Sequence, residues 1–166
     1  MNIQDYTLPD FEEILSLEKK SFKEGSGISY ESLIGKWKFC NVWKKGERKV
    51  DNISSSLLQV LSANLELSKK EFEGEFPSFE IRNSISFGLI SINFSGKAFL
   101  KGSRPLLTFN FEKLLLKLAS MKIFETPLKE QEIKKMPFFS LIAMDQNTHW
   151  MCARGKGGGI AIWVKD

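Results

Sequence analysis

The hydrophobic positions follow two different periods along the chain. Near the N-terminus they recur every three to four residues, with charged residues on the opposite side, which predicts an amphipathic helix over about residues 8–22. Asp10 and Glu13 form a D-x-x-E capping pair at its start. The apolar residues of this helix are Phe11, Ile14, Leu15 and Phe22.

Further along, the period changes to two, as in strands that bury one face. Strands are predicted at about residues 37–43, 61–68, 79–87, 90–94, 107–111, 114–124, 139–144, 150–154 and 160–165. Eight or so one-sided strands bury a common face and lose their edges if they close into a barrel. The predicted fold class is therefore mainly β: an antiparallel barrel over about residues 35–166, preceded by the helix, in a single domain of residues 1–166.

Four segments interrupt or blur this pattern. The sequence "LLQVLSA" (57–63) fits helix or strand, and its neighbours favour strand. The segments "EGEFPS" (73–78) and "ETPLKEQEIKKMP" (125–137) are predicted to be longer loops or a lid with a helical turn. The glycine run Gly155–Gly159 lacks the spacing of a phosphate-binding loop, so it predicts a hairpin turn between the last two strands.

Composition narrows the functional classes. The chain has 166 residues, and its 14 Phe and 4 Trp against 2 Tyr favour a core or an apolar ligand over polar chemistry. Two cysteines form no disulfide framework, which favours a reducing compartment. A targeting signal and a long apolar run are both lacking, so we expect a cytoplasmic protein or one peripheral to a membrane. A net charge of +4 permits weak attraction to anionic lipid.

Reactive residues are few. His149 is the single histidine, and the side chains of His149 and Cys152 point to opposite faces of one strand, so we expect neither a metal site nor a catalytic dyad nor a cofactor. Asp145 is interpreted as the start of a turn. In "KWKFCNVWKKGERK" the rings and most lysines fall on opposite faces, which disfavours nucleic-acid binding. The protein is therefore predicted not to be an enzyme.

The start of the first strand carries more information. Gly35 and Trp37 form a G-x-W motif, which resembles the opening strand of lipocalin-type barrels. That resemblance implies that the indole closes the barrel floor and that an arginine from a late strand lies over the ring as a cation on a π face. Arg154 is the predicted partner of Trp37.

The C-terminal segment "PFFSLIAMDQNTHWMCARGKGGGIAIWVKD" resembles the end of the plastid lipid-associated protein, or plastid fibrillin, family of plants and cyanobacteria. Arg154 and Gly155 match its Arg-Gly pair, and Asp145 matches the start of its acidic turn. Gln146 and Asn147 stand where the family has further carboxylates. The absence of a transit peptide suits a cyanobacterial member. The resemblance implies a lipocalin-like barrel that associates with thylakoids or lipid bodies and carries apolar molecules.

We therefore expect a non-enzymatic protein that binds a prenylquinone, a carotenoid or an acyl lipid inside the barrel. Burial of such a ligand contributes about 25 cal/mol per Å² of apolar surface. The ligand-binding residues predicted for the interior and its mouth are Trp37, Phe39, Phe79, Ile81, Ile92, Phe94, Phe109, Phe111 and Arg154.

Two other classes stay open. One is a chromophore lyase that attaches bilins, in which Arg82, Arg104 and Arg154 would hold the propionates at the barrel mouth. The other is a structural barrel that binds a protein partner and no small molecule. An interior filled by its own Phe side chains would favour this last class.

Overall fold

The computed structural model describes residues 7–52, 63–71 and 74–166. Within these residues the chain forms two α-helices, nine strands and a short 3-10 helix at Ile133–Lys135. The helices are α1 (Phe11–Glu24) and α2 (Tyr30–Leu33). The strands are β1 (Gly35–Trp43), β2 (Asn64–Lys69), β3 (Ser78–Phe87), β4 (Ile90–Lys101), β5 (Leu106–Leu118), β6 (Met121–Pro127), β7 (Phe138–Asp145), β8 (Trp150–Gly155) and β9 (Ile160–Lys165).

The predicted N-terminal helix and its cap are confirmed. The Asp10 carboxylate accepts the backbone N–H of Glu13 at 2.9 Å, and the Glu13 carboxylate accepts the backbone N–H of Asp10 at 3.0 Å. These reciprocal bonds satisfy two N–H groups that a helix start leaves without partners. The helix ends at Gly25, where φ is 82°. It begins three residues later and ends two residues later than predicted.

The strands form one antiparallel sheet, as predicted, and the sheet closes into a ring. Its order is β4-β3-β2-β1-β9-β8-β7-β5-β6, and β4 also pairs with β5. This extra pairing joins the two ends, so β6, which pairs only with β5, lies outside the ring. The seam between β5 and β7 is short: Leu106–Thr108 pair with Phe138–Ser140. The seam between β4 and β5 runs the full length of β4.

The sheet buries apolar side chains on both faces. The cluster on the inner face also includes α2 and contains Tyr30, Leu33, Trp37, Phe39, Leu65, Leu67, Phe79, Ile81, Ala98, Leu100, Leu107, Phe109, Leu141, Met151, Ala153 and Trp163. A second cluster lies between α1 and the outer face of β1, β9, β8 and β7. It contains Ile14, Cys40, Trp43, Ile142, Trp150, Cys152, Ile160, Ile162 and Val164.

Bulges account for the strand predictions that were wrong. A register shift between Phe39 and Asn41 reverses the alternation of β1, so Trp43 packs in the outer cluster instead of sharing the face of Trp37. Residues 107–111 and 114–118 belong to one continuous strand, β5, which was predicted as two because the shift opposite Ser95 and Gly96 breaks its period. The predicted strand 114–124 instead turns back at Ala119 and Ser120.

Gly96 lies where the backbones of β4 and β5 come so close that only glycine can be accommodated. A Cβ at this position would lie 1.9 Å from the backbone oxygen of Asn110, too close for any other residue. Two of the remaining predictions are confirmed, and one lies mostly outside the described residues. Gly155–Gly159 joins β8 to β9, with Gly158 at a φ of 91°, and the 3-10 helix supplies the helical turn predicted in residues 125–137. The predicted strand in "LLQVLSA", except Ala63, lies outside the described residues.

Candidate functional site

One end of the ring is closed by Trp37. Its indole is 1% exposed, and its Nε1–H donates to the carbonyl oxygen of Leu33 in α2 at 2.9 Å. The Lys165 ammonium lies 5.1 Å from the centre of the Trp37 ring. The G-x-W motif therefore closes the ring floor, as the resemblance implied, but the predicted cation is wrong: Lys165 takes the position assigned to Arg154. We call this end the Trp37 end.

The interior next to the Trp37 end is filled by side chains. Tyr30 stacks on Phe79 with ring centres 4.4 Å apart, and its hydroxyl donates to the carbonyl oxygen of Ser78 at 2.9 Å. Phe79 and Ile81 are both 0% exposed. Close packing of this kind leaves no room for a ligand.

A layer of aromatic rings crosses the interior above this filled part. The centres of neighbouring rings are 5.1 to 6.5 Å apart, a spacing typical of favourable aromatic pairs. The rings come from β4, β5, β7, β9 and β1. In order they are Phe94, Phe111, Phe109, Phe139, Trp163 and Phe39.

Beyond this aromatic layer no described residue covers the inner face. Strands β3, β4, β5 and β6 continue past the ring, because β2 begins opposite Ser84 and the pairing of β7 with β5 stops at Thr108. The register places the apolar residues of the extended part on the same inward face. We call this surface the open face; its residues are Ile85, Phe87, Ile90, Ile92, Leu114, Leu116, Leu118, Met121 and Phe124.

The open face is apolar and accessible to solvent. Phe87 is 65% exposed, Ile90 50% and Phe124 53%. On the opposite surface of the same strands lie Ser84, Ser86, Ser91, Asn93 and Ser95. Contiguous exposed apolar surfaces are uncommon on folded domains, so the open face is a candidate binding surface.

A pocket of about 210 Å³ lies where the open face meets the aromatic layer. Phe39, Trp163, Leu65 and Ile85 supply most of its apolar wall, and Asn83 lies among them. Asn83 is the polar member of the inward row of β3, opposite Phe94 on β4. An amide at this position can donate to a carbonyl oxygen of a ligand.

The predicted site residues therefore separate into three inward-facing groups and one residue that lies outside. Trp37, Phe79 and Ile81 belong to the filled interior, and Phe39 and Phe109 are buried in the aromatic layer. Phe94 and Phe111 are half-buried members of that layer, and Ile92 lies on the open face with 37% exposure. Arg154 does not face the interior.

Arg154 instead holds helix α1 against the outside of the ring. Its Nε and one Nη donate to the two oxygens of Glu18 at 2.7 and 2.6 Å, and Arg104 donates to the same carboxylate at 3.0 Å. The hydrogen bonds from Arg154 lower the pKa of Glu18, against the opposing effect of burial. The Arg104 guanidinium also lies 3.3 Å from the centre of the exposed Phe22 ring. Sequence reasoning missed Glu18 because its partners are more than 80 residues away.

Arg82 likewise lies outside. Its side chain donates to the Glu80 carboxylate at 2.8 Å and is 56% exposed. The three arginines considered for bilin propionates therefore do not converge on the mouth of the ring. Arg104 and Arg154 are engaged by the helix, and Arg82 lies on the solvent face of β3.

The cysteines and the histidine are far from the open face. Cys40 and Cys152 are buried under α1, and desolvation raises the pKa of their thiols to about 11 and about 12. His149 lies at an exposed turn with a φ of 57°. Asp145 accepts the backbone N–H groups of Asn147 and Thr148, which confirms its turn role and lowers its pKa. No three His, Cys, Asp or Glu side chains in the described ranges cluster as metal ligands would.

Comparison with protein-family models, with curated proteins and with solved structures yields no match. Among the described residues, no helix is both long enough and apolar enough to cross a bilayer.

Proposed function

We propose that this protein is a lipocalin-like barrel of the plastid fibrillin type that binds an elongated apolar molecule without transforming it. The ligand classes are the prenylquinones, the carotenoids and the acyl lipids. The observation that carries the proposal is the open face, which continues the apolar interior of the ring into solvent without a cover among the described residues. The binding site is placed there and in the adjoining pocket, because the rest of the interior is filled.

The dimensions favour a ligand that is longer than the pocket. A cavity of about 210 Å³ is smaller than most drug-sized binding sites, which measure roughly 300–1,000 Å³. One end group of the ligand occupies the pocket against Phe39 and Trp163, and the chain lies along the open face. Coverage of the exposed Phe87, Ile90 and Ile92 contributes about 25 cal/mol for each Å² removed from water.

Asn83 favours a ligand whose end group has a carbonyl oxygen. Asn83 and Asn64 are the two polar residues in a mostly apolar wall, where a hydrogen bond is stronger than in water. A prenylquinone offers such an oxygen, whereas a hydrocarbon carotenoid does not. Because these molecules dissolve in membranes, the proposal includes peripheral association with thylakoids.

The test is a pair of variants on adjacent residues of β4. Ile92→Asp places a charge on the open face, whereas Ser91→Asp places the same charge on the outer face. Quenching of the intrinsic tryptophan fluorescence by a short-chain prenylquinone reports binding, because Trp163 lines the pocket. We expect Ile92→Asp to weaken affinity at least about tenfold, because a buried charge is costly, and Ser91→Asp to leave it within about twofold. Equal affinity in the two folded variants would reject the open face as the site.

A third variant tests the end group. Asn83→Leu should weaken binding of the quinone by about tenfold, since the carbonyl oxygen loses its donor. Binding of β-carotene, which has no oxygen, should be unchanged or stronger. An equal loss for both ligands would show that Asn83 acts through packing and not through a hydrogen bond.

A further inference from the structure

The two hairpin turns beyond the ring form a single protrusion. Strands β3 and β4 are joined at Gly88 and Leu89, and β5 and β6 are joined at Ala119 and Ser120. The backbone N–H of Ala119 donates to the carbonyl oxygen of Leu89, which links the two turns. We call residues 87–90 and 118–122 the tip.

The tip exposes large apolar side chains. Phe87 is 65% exposed, Leu89 69%, Leu118 42% and Met121 63%. Isolated apolar residues are common on protein surfaces, but here they are contiguous at the most extended point of the sheet. Their exposure costs solubility without any gain in packing, so a partner is expected to cover them.

Of the charged side chains, the two closest in sequence to the turns of the tip are lysines. Residues 84–95 contain no charged side chain, and residues 114–122 contain only Lys117 and Lys122. These two lysines lie directly opposite each other on β5 and β6, a like-charge pairing that destabilises a sheet. Lys122 shares the Glu125 carboxylate with Lys113, at 3.1 and 3.3 Å, and Lys117 has no carboxylate within ion-pair distance in the described part of the chain.

Apolar side chains bordered by lysines match the interface of a bilayer that contains anionic lipid. Long ammonium side chains reach the headgroups while the apolar groups enter the acyl region. Protein interfaces are enriched in Phe and Met, which the tip has, but also in Trp, Tyr and Arg, which it lacks, and they are depleted in Lys. The lysines in and beside the tip therefore favour an anionic membrane over a protein partner.

We propose that the tip inserts into the surface of a membrane that carries anionic lipid. This inference rests on the proposed function and extends it, because the open face then meets the acyl region at the tip. An apolar ligand can move between bilayer and open face without crossing water. The ring and helix α1 stay outside the membrane.

Vesicle sedimentation tests the residues involved. The full chain is mixed with vesicles of phosphatidylcholine alone or with 30% phosphatidylglycerol added, a proportion of about one lipid in three chosen to give a strong surface potential. The double variant Phe87→Ser/Leu89→Ser should weaken binding to the anionic vesicles at least about tenfold. The control Ile133→Ser removes a still more exposed apolar residue, in the 3-10 helix outside the tip, and should bind as the parent does.

The charge contribution is tested in the same assay. Lys117→Glu should weaken binding to anionic vesicles about tenfold, an effect that diminishes as salt is raised, because the ammonium no longer faces anionic headgroups. Lys129→Glu changes the net charge equally, but at an exposed site in the segment before the 3-10 helix. It should change binding less than about twofold.

The position of the tip is measured with an environment-sensitive fluorophore. Leu89→Cys is labelled with a nitrobenzoxadiazole (NBD) maleimide; the native Cys40 and Cys152 are buried and do not compete. A blue shift and brightening on anionic vesicles, absent for a label at Ile133→Cys, is expected. No binding to vesicles, binding with both labels unchanged, or quenching only by an added protein would overturn the proposal. Loss of quinone binding with intact vesicle binding would instead reject the ligand site.

Discussion

The two ends of the ring are built from the same pattern and differ in what covers it. Near the Trp37 end the inward row of β3 is sealed by Tyr30 from α2 and by the facing strands, so Phe79 is 0% exposed. Eight residues later on the same face, Phe87 is 65% exposed. Alternation specifies which side chains point inward. Whether an inward side chain is buried depends on how many strands of the sheet extend to its position along the ring axis.

The difference between the two ends can be tested by replacing one phenylalanine at each end with alanine. Phe79→Ala should lower the free energy of unfolding by about 4 kcal/mol, because it opens a cavity in a closed core. Phe87→Ala should change the free energy of unfolding by less than about 0.5 kcal/mol, because the phenyl group of Phe87 is already largely exposed to water. Urea denaturation of the two variants measures the difference. Similar losses would mean that Phe87 is covered in solution.

A second test concerns the helix that supports the closed part from outside. Glu18→Gln leaves Arg104 and Arg154 without their shared carboxylate and should cost about 3 kcal/mol at neutral pH. Because the folded-state pKa of Glu18 is lowered below its ordinary 4.5, the carboxylate stabilises the fold above that pH, and this stabilisation is lost as pH falls through the folded value.

The denaturation midpoints of Glu18→Gln and the parent should therefore converge in acid. The control is Glu12→Gln, whose exposed ion pair with Arg48 should contribute less than about 1 kcal/mol at any pH. A constant difference from pH 7 to pH 3 would contradict the role of the charge.

The floor provides a third and smaller test. Tyr30→Phe removes the donor to the buried carbonyl oxygen of Ser78 and the acceptor of the Lys70 N–H, and should cost about 1.5 kcal/mol. Hydrogen exchange at the Trp37 end should accelerate while the hairpins of the tip are unaffected. Uniform acceleration throughout the chain would show that the two ends unfold together.

The smallest expected effect lies at the tip. Ala119 has a φ of 52°, which glycine adopts without steric cost, so Ala119→Gly should stabilise the protein by about 0.5 kcal/mol. The matched change Ala98→Gly, in a buried strand position, should be destabilising instead. Thermal unfolding of both variants checks the sign.

Sequence reasoning predicted the strands well where alternation was uninterrupted. Strand β3 and the last three strands lie within about one residue of their predicted positions, whereas β4 begins where predicted but continues seven residues further, to Lys101. It failed where a bulge shifts the alternation, as at Trp43, because an inserted residue leaves no compositional signal. The turn at Ala119 and Ser120 was missed because neither residue is a usual hairpin former.

The candidate site was only partly predictable. The inward rows that contain Ile92, Phe94 and Phe109 were assigned correctly, since parity alone determines them. Closure of one end and exposure of the other follow from unequal strand lengths, as β4 and β5 have 12 and 13 residues and β2, β8 and β9 have 6. Arg154 was misassigned because the outer helix that engages it is distant in sequence.

The short seam between β5 and β7 determines where the sheet is expected to open locally. Leu106–Thr108 join Phe138–Ser140 by a few ladder bonds, extended by the N–H of Phe109 to Pro137 and that of Leu141 to Pro105. Counted in paired residues, this seam is the shortest ladder of the ring, with three pairs against four between β1 and β2. Transient opening should begin at this seam, beside Phe109 and Phe139 of the aromatic layer. Opening along this one line would expose the aromatic rings to water while the longer ladders of the ring keep their register.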